Sequence, residues 1–346
     1  MSGNELVLQE IGSFRKPDYL STKFHKIIGT EEFREKASRA TLETLNLFKD
    51  SGLENFGVGG EMFRWEMYEH LAYHIDNIEF KGMVRSFDNR YYKKGSVTGL
   101  LSAKDSAHQE ELAFLLENFK GKLKVPITGP YTMMDWSFNE HYGDRRELAN
   151  AFADIIREEI LNLRKIWRKY RGNEILEIQI DEPATTTHPS EMDIVMESVN
   201  RSIEGVDGIE SSIHVCYSSD YGYLFDRLEE LKVDGYNLEF ANRDTLLNGI
   251  DSERRPGFDD VRRFKEANDT VSRKRFLGLG VTDIHIDHVE SVELIRDRIN
   301  YSLKQFDRPD LIRINPDCGL RTRSIDIGFK KLKNMSEAVS QVRKNL

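Results

Sequence analysis

The chain alternates between short apolar runs and longer stretches in which apolar residues recur every three or four positions. The short runs are rich in β-branched residues and have the length of buried strands, whereas the longer stretches have the period of amphipathic helices. Eight runs are predicted as strands: 6–14, 55–61, 125–130, 175–183, 212–217, 235–240, 275–281 and 311–318. The main helical stretches cover 31–51, 146–171, 189–203, 220–232, 257–269, 289–305 and 327–344.

This order of elements predicts an α/β fold, a (β/α)8 barrel of the TIM type. Strands that are separated by helices pair in parallel through crossovers, and eight such units close into a barrel. A doubly wound open sheet is the alternative, but no glycine-rich phosphate loop follows the first strand. Because no internal repeat and no linker rich in Pro, Gly and Ser divides the chain, we expect one catalytic domain over residues 1–346.

Residues 62–124 depart from the alternation of strands and helices. They contain a helical stretch and then the run 78–99, in which apolar and polar residues alternate as in a hairpin. We therefore predict an inserted helix and hairpin segment over 62–124, between the second and third strands of the barrel.

The charge pattern and the cysteine content narrow the class of protein. The formal net charge is −9, with acids and bases interleaved and no basic arm, so we expect no nucleic-acid partner. The N-terminus lacks the basic start and apolar region of a secretory signal, and no run approaches the ~18 apolar residues of a membrane span. Two cysteines are too few for a disulfide scaffold. We expect a cytoplasmic protein without a membrane partner.

Soft metal ligands stand at the ends of three predicted strands. His214 and Cys216 are two residues apart, so their side chains lie on the same face of a strand. Glu239 ends the sixth strand and Cys318 follows the eighth, at the end of the barrel where functional sites lie. Two thiolates, an imidazole and a carboxylate suit zinc better than magnesium or calcium. The alternative is a structural cysteine buried beside a histidine that is satisfied in the core.

The charge of this ligand set indicates a kind of chemistry. Two thiolates and a carboxylate make the zinc complex net negative, which weakens it as a Lewis acid for activating water. Such a complex is better suited to holding another thiol as a thiolate that remains nucleophilic. The pattern therefore favours a thiol substrate that attacks an electrophilic carbon.

Several longer motifs, taken in order, resemble the catalytic barrel of the cobalamin-independent methionine synthases. They are IGSF (11–14), GGE (59–61), TGPYTMMDWSF (128–138), IQIDEPA (178–184), IHVCY (213–217), LEFANRD (238–244), GVTDIH (280–285) and NPDCGLRTR (315–323). The resemblance runs from about residue 11 to 325. It implies a methyltransferase that moves a methyl group to the zinc-bound thiolate of homocysteine and forms methionine.

The resemblance also implies roles for particular residues. One zinc ion per chain would be held by the set already described, His214, Cys216, Glu239 and Cys318. The homocysteine carboxylate would bind Ile11 and Ser13, and its ammonium would bind Glu61 and Asp181. His285 matches a proton donor or relay, and Trp136 matches an aromatic residue that stacks on the pterin ring of a methyl donor.

Each of these residues also has a structural interpretation. Asp181 would be a helix N-cap, Glu61 a partner of Arg64, Trp136 a plug of the barrel mouth, His285 a group that only holds a carboxylate, and Ser13 an ordinary turn residue.

The methyl donor is left open by the resemblance. Many members of the family carry two barrels in tandem, whereas this chain has one. It departs from the family pattern at Met62-Phe63, at 185–188 and at 286–288, around the donor rather than the homocysteine positions. Single-barrel relatives are thought to use a methylated corrinoid, free or carried by a corrinoid protein. We therefore favour a methylcobamide donor over a methyl-folate or methyl-pterin.

Three other functions are alternatives to this one. A related zinc alkyltransferase could use another thiol acceptor, such as one of the coenzyme M type, but then Glu61 and Asp181 would have no ammonium to bind. A non-catalytic zinc-binding barrel is the second alternative. A barrel like that of porphyrinogen decarboxylase ranks last, since it needs no thiolate metal site.

Overall fold

A computed structural model describes residues 6–85 and 91–346 of the chain. The strands are β1 (Val7–Leu8), β2 (Ile78–Arg85), β3 (Tyr91–Val97), β4 (Lys124–Thr128), β5 (Ser137–Asn139), β6 (Leu176–Asp181), β7 (Ile209–Val215), β8 (Gly235–Leu238), β9 (Phe276–Gly280) and β10 (Ile312–Asn315). In this part of the chain, one curled sheet contains seven parallel strands in the order β1-β10-β9-β8-β7-β6-β4. The predicted α/β class is confirmed.

Helices connect these strands and cover the sheet. They are α1 (Asp18–Ser21), α2 (Phe24–Ile27), α3 (Glu31–Ser51), α4 (Met67–Ala72), α5 (Gln109–Asn118), α6 (Pro130–Asp135), α7 (Arg145–Arg171), α8 (Met192–Ile203), α9 (Gly222–Phe225), α10 (Asp260–Thr270), α11 (Val292–Gln305) and α12 (Ile325–Arg343). The side chains of Thr30, Ser291 and Ser324 each accept an N–H of the first turn and so start α3, α11 and α12. None of the described helices has the length and apolarity that a membrane crossing needs.

The predicted second strand, 55–61, is wrong as a strand. Gly57, Gly59, Gly60 and Glu61 all have positive φ, between 50° and 81°, which is incompatible with extended backbone. Only Asn55 takes the place of this strand, through single parallel bridges to Gln9 and to residue 122. The bridges lie between β1 and β4, so Asn55 spans the gap between the two edges of the curled sheet.

Two other predicted elements are shorter than expected. The first strand, predicted over 6–14, ends at Leu8, because the following segment turns toward the loop of residues 55–60 and Phe14 donates its N–H to the carbonyl of Gly60. The helix predicted over 220–232 is reduced to α9. Beyond it, Arg227 and Leu228 donate their N–H groups three residues back, so the chain continues as tight turns.

A second sheet stands beside the main one. Strands β2 and β3 are antiparallel, and β5 pairs in parallel with β3. The turn of the hairpin predicted over 78–99 falls on residues 86–90, which lie outside the described residues. The segment 62–124 contains α4, β2, β3 and α5, and its boundaries as an insertion stay a prediction.

Inside the curl of the sheet, polar side chains from several strands bond to one another. The amide of Gln9 donates to Asn237 (2.8 Å) and to Asn315 (3.2 Å), and Asn237 donates to Gln179 (2.9 Å). Gln179 in turn donates to the carbonyl of Ile11 (2.9 Å) and to the carboxylate of Asp181 (2.8 Å). Because a buried polar group is costly unless it is bonded, this network fixes the strand ends that carry the candidate site.

Candidate active site

A cavity of about 250 Å³ lies at the carboxyl ends of the parallel strands, where barrels of this class bind their ligands. Its wall includes these residues predicted from the sequence: Ile11, Ser13, Glu61, Trp136, Asp181, His214, Cys216 and Cys318. The two remaining predicted residues, Glu239 and His285, lie next to Tyr217, which is itself part of the wall. The structure therefore brings the predicted residues together at one end of the sheet.

Three soft donor atoms converge in this cavity. One donor atom each from His214, Cys216 and Cys318 lies within 4.8 Å of the other two. The first two residues lie at the end of β7 and just beyond it, and Cys318 follows β10. The Nδ1 atom of His214 is 2.9 Å from the carbonyl oxygen of Asn237, so Nδ1 carries the proton and donates. Its Nε2 atom then faces the sulfur of Cys318 at 3.3 Å.

The electrostatics of this group favour a bound cation. The hydrogen bond to Cys318, together with burial and the Cys318 charge, raises the pKa of Cys216 well above its ordinary value. Burial lowers the pKa of His214, but the charge and hydrogen bond of Cys318 outweigh it and raise the pKa to about 9. Two sulfurs this close cannot both ionise without a compensating positive charge. The donor set thus has the chemistry of a thiolate metal site.

Glu239 stands apart from this group of three. Its Oε2 atom accepts the backbone N–H of Tyr217 (2.6 Å) and the amide of Asn242 (2.9 Å), and its Oε1 atom is 3.3 Å from Nε2 of His285. Glu239 is fully buried. Its negative charge contributes to the raised pKa of Cys216, so it lies near the sulfurs even though it is engaged elsewhere.

Two carboxylates, Asp181 and Glu61, also line the cavity. Asp181 ends β6 in register with His214, and burial with the charge of Glu61 raises its pKa to about 7. Glu61 has an oxygen 3.8 Å from Arg64, too far for a hydrogen bond. Arg64 instead donates to Glu111 at 2.5 and 2.8 Å. Glu61 therefore lines the cavity and at the same time keeps a longer ion pair with Arg64, whose shorter bonds go to Glu111.

Trp136 ends helix α6 and packs against the second sheet. Its ring stacks on Tyr92 with the centroids 4.9 Å apart and 26° between the planes. Helix α6 is held by Glu182, whose carboxylate accepts the N–H groups of Tyr131 (2.9 Å) and Thr132 (2.7 Å). Glu182, and not Asp181, is thus the residue that caps a helix here.

Sequence reasoning missed the part that Glu182 and Asp317 play. Asp317, which is fully buried, accepts the backbone N–H groups of Phe240 and Ala241 at 3.0 Å and of Asn242 at 2.7 Å. It therefore holds the loop that follows β8 and begins at Glu239. In the sequence, each of these two acids stands directly beside a predicted site residue, Glu182 after Asp181 and Asp317 before Cys318.

The fold and this site define a class of protein, an α/β-barrel enzyme with a thiol-rich candidate metal centre next to paired carboxylates. Residues 11–341 match the family described as "Cobalamin-independent synthase, Catalytic domain". The chain belongs to this family, the cobalamin-independent methionine synthases, as the motifs predict. Its class of reaction is therefore methyl transfer to homocysteine to give methionine.

Individual relatives agree with this assignment along the whole chain. A methionine synthase of Thermoplasma acidophilum is 60% identical over 341 residues and covers 99% of each chain. One of Pyrococcus furiosus is 36% identical and covers 97% of this chain and 92% of its own. Among solved structures, the B12-independent methionine synthase of Shewanella sp. W3-18-1 shares the fold, with a TM-score of 0.80 at 22% identity over 99% and 98% of the two chains.

Proposed function

We propose that this enzyme binds homocysteine in the cavity described above and uses zinc, held by His214, Cys216 and Cys318 with Glu239 as the fourth ligand. The observation that carries the proposal is the convergence of the three donor atoms within 4.8 Å of one another, in a cavity that Asp181 and Glu61 also line. A tetrahedral zinc ion with ordinary bond lengths places its nitrogen and sulfur ligands about 3.5–3.8 Å apart. The 3.3 Å between Nε2 of His214 and the sulfur of Cys318 is slightly shorter than this range, so the two ligands would move apart a little to hold the ion.

The chain's own residues would orient the amino acid. When bound, zinc supplies a positive centre that keeps a substrate thiol deprotonated at neutral pH. The carboxylates of Asp181 and Glu61 bind the substrate ammonium, and the segment Ile11–Ser13 binds its carboxylate. Holding the sulfur and the methyl donor in line can remove ~7–11 kcal/mol of the barrier. In support, the structural relative from Shewanella sp. W3-18-1 was solved in complex with selenomethionine.

His285 is assigned the role of proton donor or relay. Burial lowers its pKa, but the hydrogen bond and charge of Glu239 outweigh it and raise the pKa to about 9. The imidazole therefore holds a proton at neutral pH, on the Nε2 atom that faces Glu239. A protonated group at this place can donate its proton when the product leaves, and its neutral form can then accept the proton that the next substrate thiol loses.

The donor is assigned to the aromatic side of the same cavity. Trp136 and Tyr92 form a stacked pair, and Tyr91 also lines the wall. A flat ligand face, from a methylated corrinoid or a methyl-pterin, packs well against such a surface. We favour the methylated corrinoid because the sequence departs from the family pattern at the positions around the methyl donor.

The test is to supply homocysteine with methylcobalamin or with methyltetrahydrofolate and to measure methionine. Methionine from one donor supports the proposal and identifies the donor class, whereas methionine from neither contradicts it. A parallel calorimetric titration compares homocysteine with 2-mercaptoethanesulfonate, which has no ammonium. Tighter binding of the sulfonate thiol would favour the alternative acceptor and leave Asp181 and Glu61 without a role.

A further inference from the structure

A second cavity, of about 300 Å³, adjoins the first near the start of the chain. Its lining consists of Phe14, Arg15, Lys16, Ser21, Thr22, Trp65 and Arg321. Trp65 and Arg321 also line the first cavity, so the two spaces share a wall. The two cavities together have the volume of an ordinary ligand pocket, whereas the first cavity alone is smaller than such pockets.

The charge of this lining is one-sided. Three basic side chains and two hydroxyl groups line the cavity, and none of its described lining residues is acidic, although the chain has a net charge of −9. Two carboxylates that act on these basic groups, Glu61 on Lys16 and Glu66 on Arg321, belong to the wall of the first cavity. A concave site that gathers one sign of charge attracts ligands of the opposite sign.

The topology explains why these cations meet. Strands β1 and β10 are parallel neighbours, so the loops that follow them leave the same edge of the sheet side by side. The loops touch at Gly319, where an added Cβ would lie 2.4 Å from the hydroxyl oxygen of Ser13. Arg15 and Lys16 follow this contact on one loop, and Arg321 follows it on the other, so the three basic residues lie near one another.

The cations are held near one another at an electrostatic cost. Lys16 is buried and donates one hydrogen bond, of 2.8 Å, to the carbonyl of Glu61. Burial and the neighbouring charge of Arg321 lower the pKa of its amine to about 7. Arg15 is exposed and makes no side-chain hydrogen bond or ion pair with any residue that the structure describes. A bound anion would relieve this repulsion and supply an acceptor for the guanidinium group of Arg15.

We propose that this second cavity is an anion subsite, which binds a phosphate or carboxylate group of the methyl donor while the methyl group faces the first cavity. The identity of the ligand rests on the proposed function. The site itself rests on the residues that line the second cavity and on the wall that it shares with the first. A corrinoid would supply the phosphate of its nucleotide loop, and a folate would supply the carboxylates of its glutamate tail. Both are anions that guanidinium groups recognise.

A binding experiment on the full chain tests the subsite without methyl transfer. Inorganic phosphate and γ-glutamylglutamate are titrated by calorimetry at constant ionic strength in chloride. We expect saturable binding of at least one anion, weakened about tenfold in Arg15→Gln and in Arg321→Gln, since each removes a charge-assisted hydrogen bond. The matched control is Lys26→Gln, which removes a positive charge from α2, on the same segment but outside both cavities, and should bind like the parent.

The outcomes separate the subsite from the proposed function. Tighter binding of phosphate indicates a nucleotide loop, and tighter binding of the dipeptide indicates a glutamate tail. Absence of saturable binding to the parent, or equal weakening in Lys26→Gln, overturns the subsite whether or not methionine is formed. With the active donor, Arg15→Gln should raise the KM of the donor and leave the KM of homocysteine unchanged. A rise in the KM of homocysteine alone would assign the cavity to the amino acid and overturn the inference.

Discussion

The imidazole of His285 contacts Glu239, with 3.3 Å between Nε2 and Oε1. Glu239 is fully buried, and its other oxygen is held by the N–H of Tyr217 and the amide of Asn242. The carboxylate thus joins two neighbouring strand ends, since it follows β8 while His285 follows β9. This contact ties the proposed proton relay to one of the proposed zinc ligands.

The contact predicts a change in the acidity of His285 when the carboxylate is neutralised. In the metal-free protein, Glu239→Gln should lower the pKa of His285 from about 9 toward its ordinary value of about 6.5. The raised pKa stabilises the fold fully below about pH 6.5, and this contribution is lost as the pH rises through about 9. NMR titration of the imidazole measures the shift. Glu253→Gln, at an exposed position, is the control, and an unchanged pKa in Glu239→Gln would exclude the pairing.

The acidity of Asp181 predicts the pH dependence of substrate capture. Burial and the charge of Glu61 raise its pKa to about 7, and only the ionised carboxylate attracts an ammonium. We expect kcat/KM for homocysteine to fall as the pH drops below about 7, and to be about tenfold lower or more in Asp181→Asn above that pH. Asp154→Asn, at an exposed position, should behave like the parent. If kcat/KM of Asp181→Asn also fell below about pH 7, the titrating group would be a residue other than Asp181.

The bonds of Asp317 predict a stability effect centred on the site. Its carboxylate accepts three backbone N–H groups of the loop after β8, and an asparagine can accept fewer of them. We expect Asp317→Asn to lower the free energy of unfolding by about 1–3 kcal/mol, because a buried donor loses its acceptor. Denaturant titration measures the loss. The control is Asp310→Asn, at an exposed position shortly before β10 where the side chain pairs with Arg308. This substitution should change the free energy of unfolding by less than about 0.5 kcal/mol. A loss in Asp310→Asn as large as that in Asp317→Asn would contradict the role of Asp317.

The sequence predicted the convergence of His214, Cys216 and Cys318, because this convergence follows from local rules. Alternation along a strand places His214 and Cys216 on one face, and the parallel order of the strands brings Cys318 to the same end of the sheet. The register of Asp181 opposite His214 follows from the same parallel pairing. These relationships need only the strand period and the crossover rule.

Other features depend on backbone and side-chain directions that no periodicity encodes. The run 55–61 takes the place of a strand in the alternation along the chain, yet Glu61 and the glycines before it adopt left-handed conformations. The pairing of Glu239 with His285 joins residues 46 positions apart through side-chain rotamers. The basic cavity forms because two loops touch at Gly319, a contact that is set by tertiary packing.

Metal analysis of the purified protein tests the central claim most directly. We expect about one zinc per chain in the parent. The control His141→Gln changes an exposed histidine and should keep this zinc content. Cys216→Ser and Cys318→Ser should each lose most of the zinc, because each removes a thiolate ligand. Retention of the parent's zinc content by both serine variants would contradict the proposed centre and, with it, the thiolate chemistry assigned to this cavity.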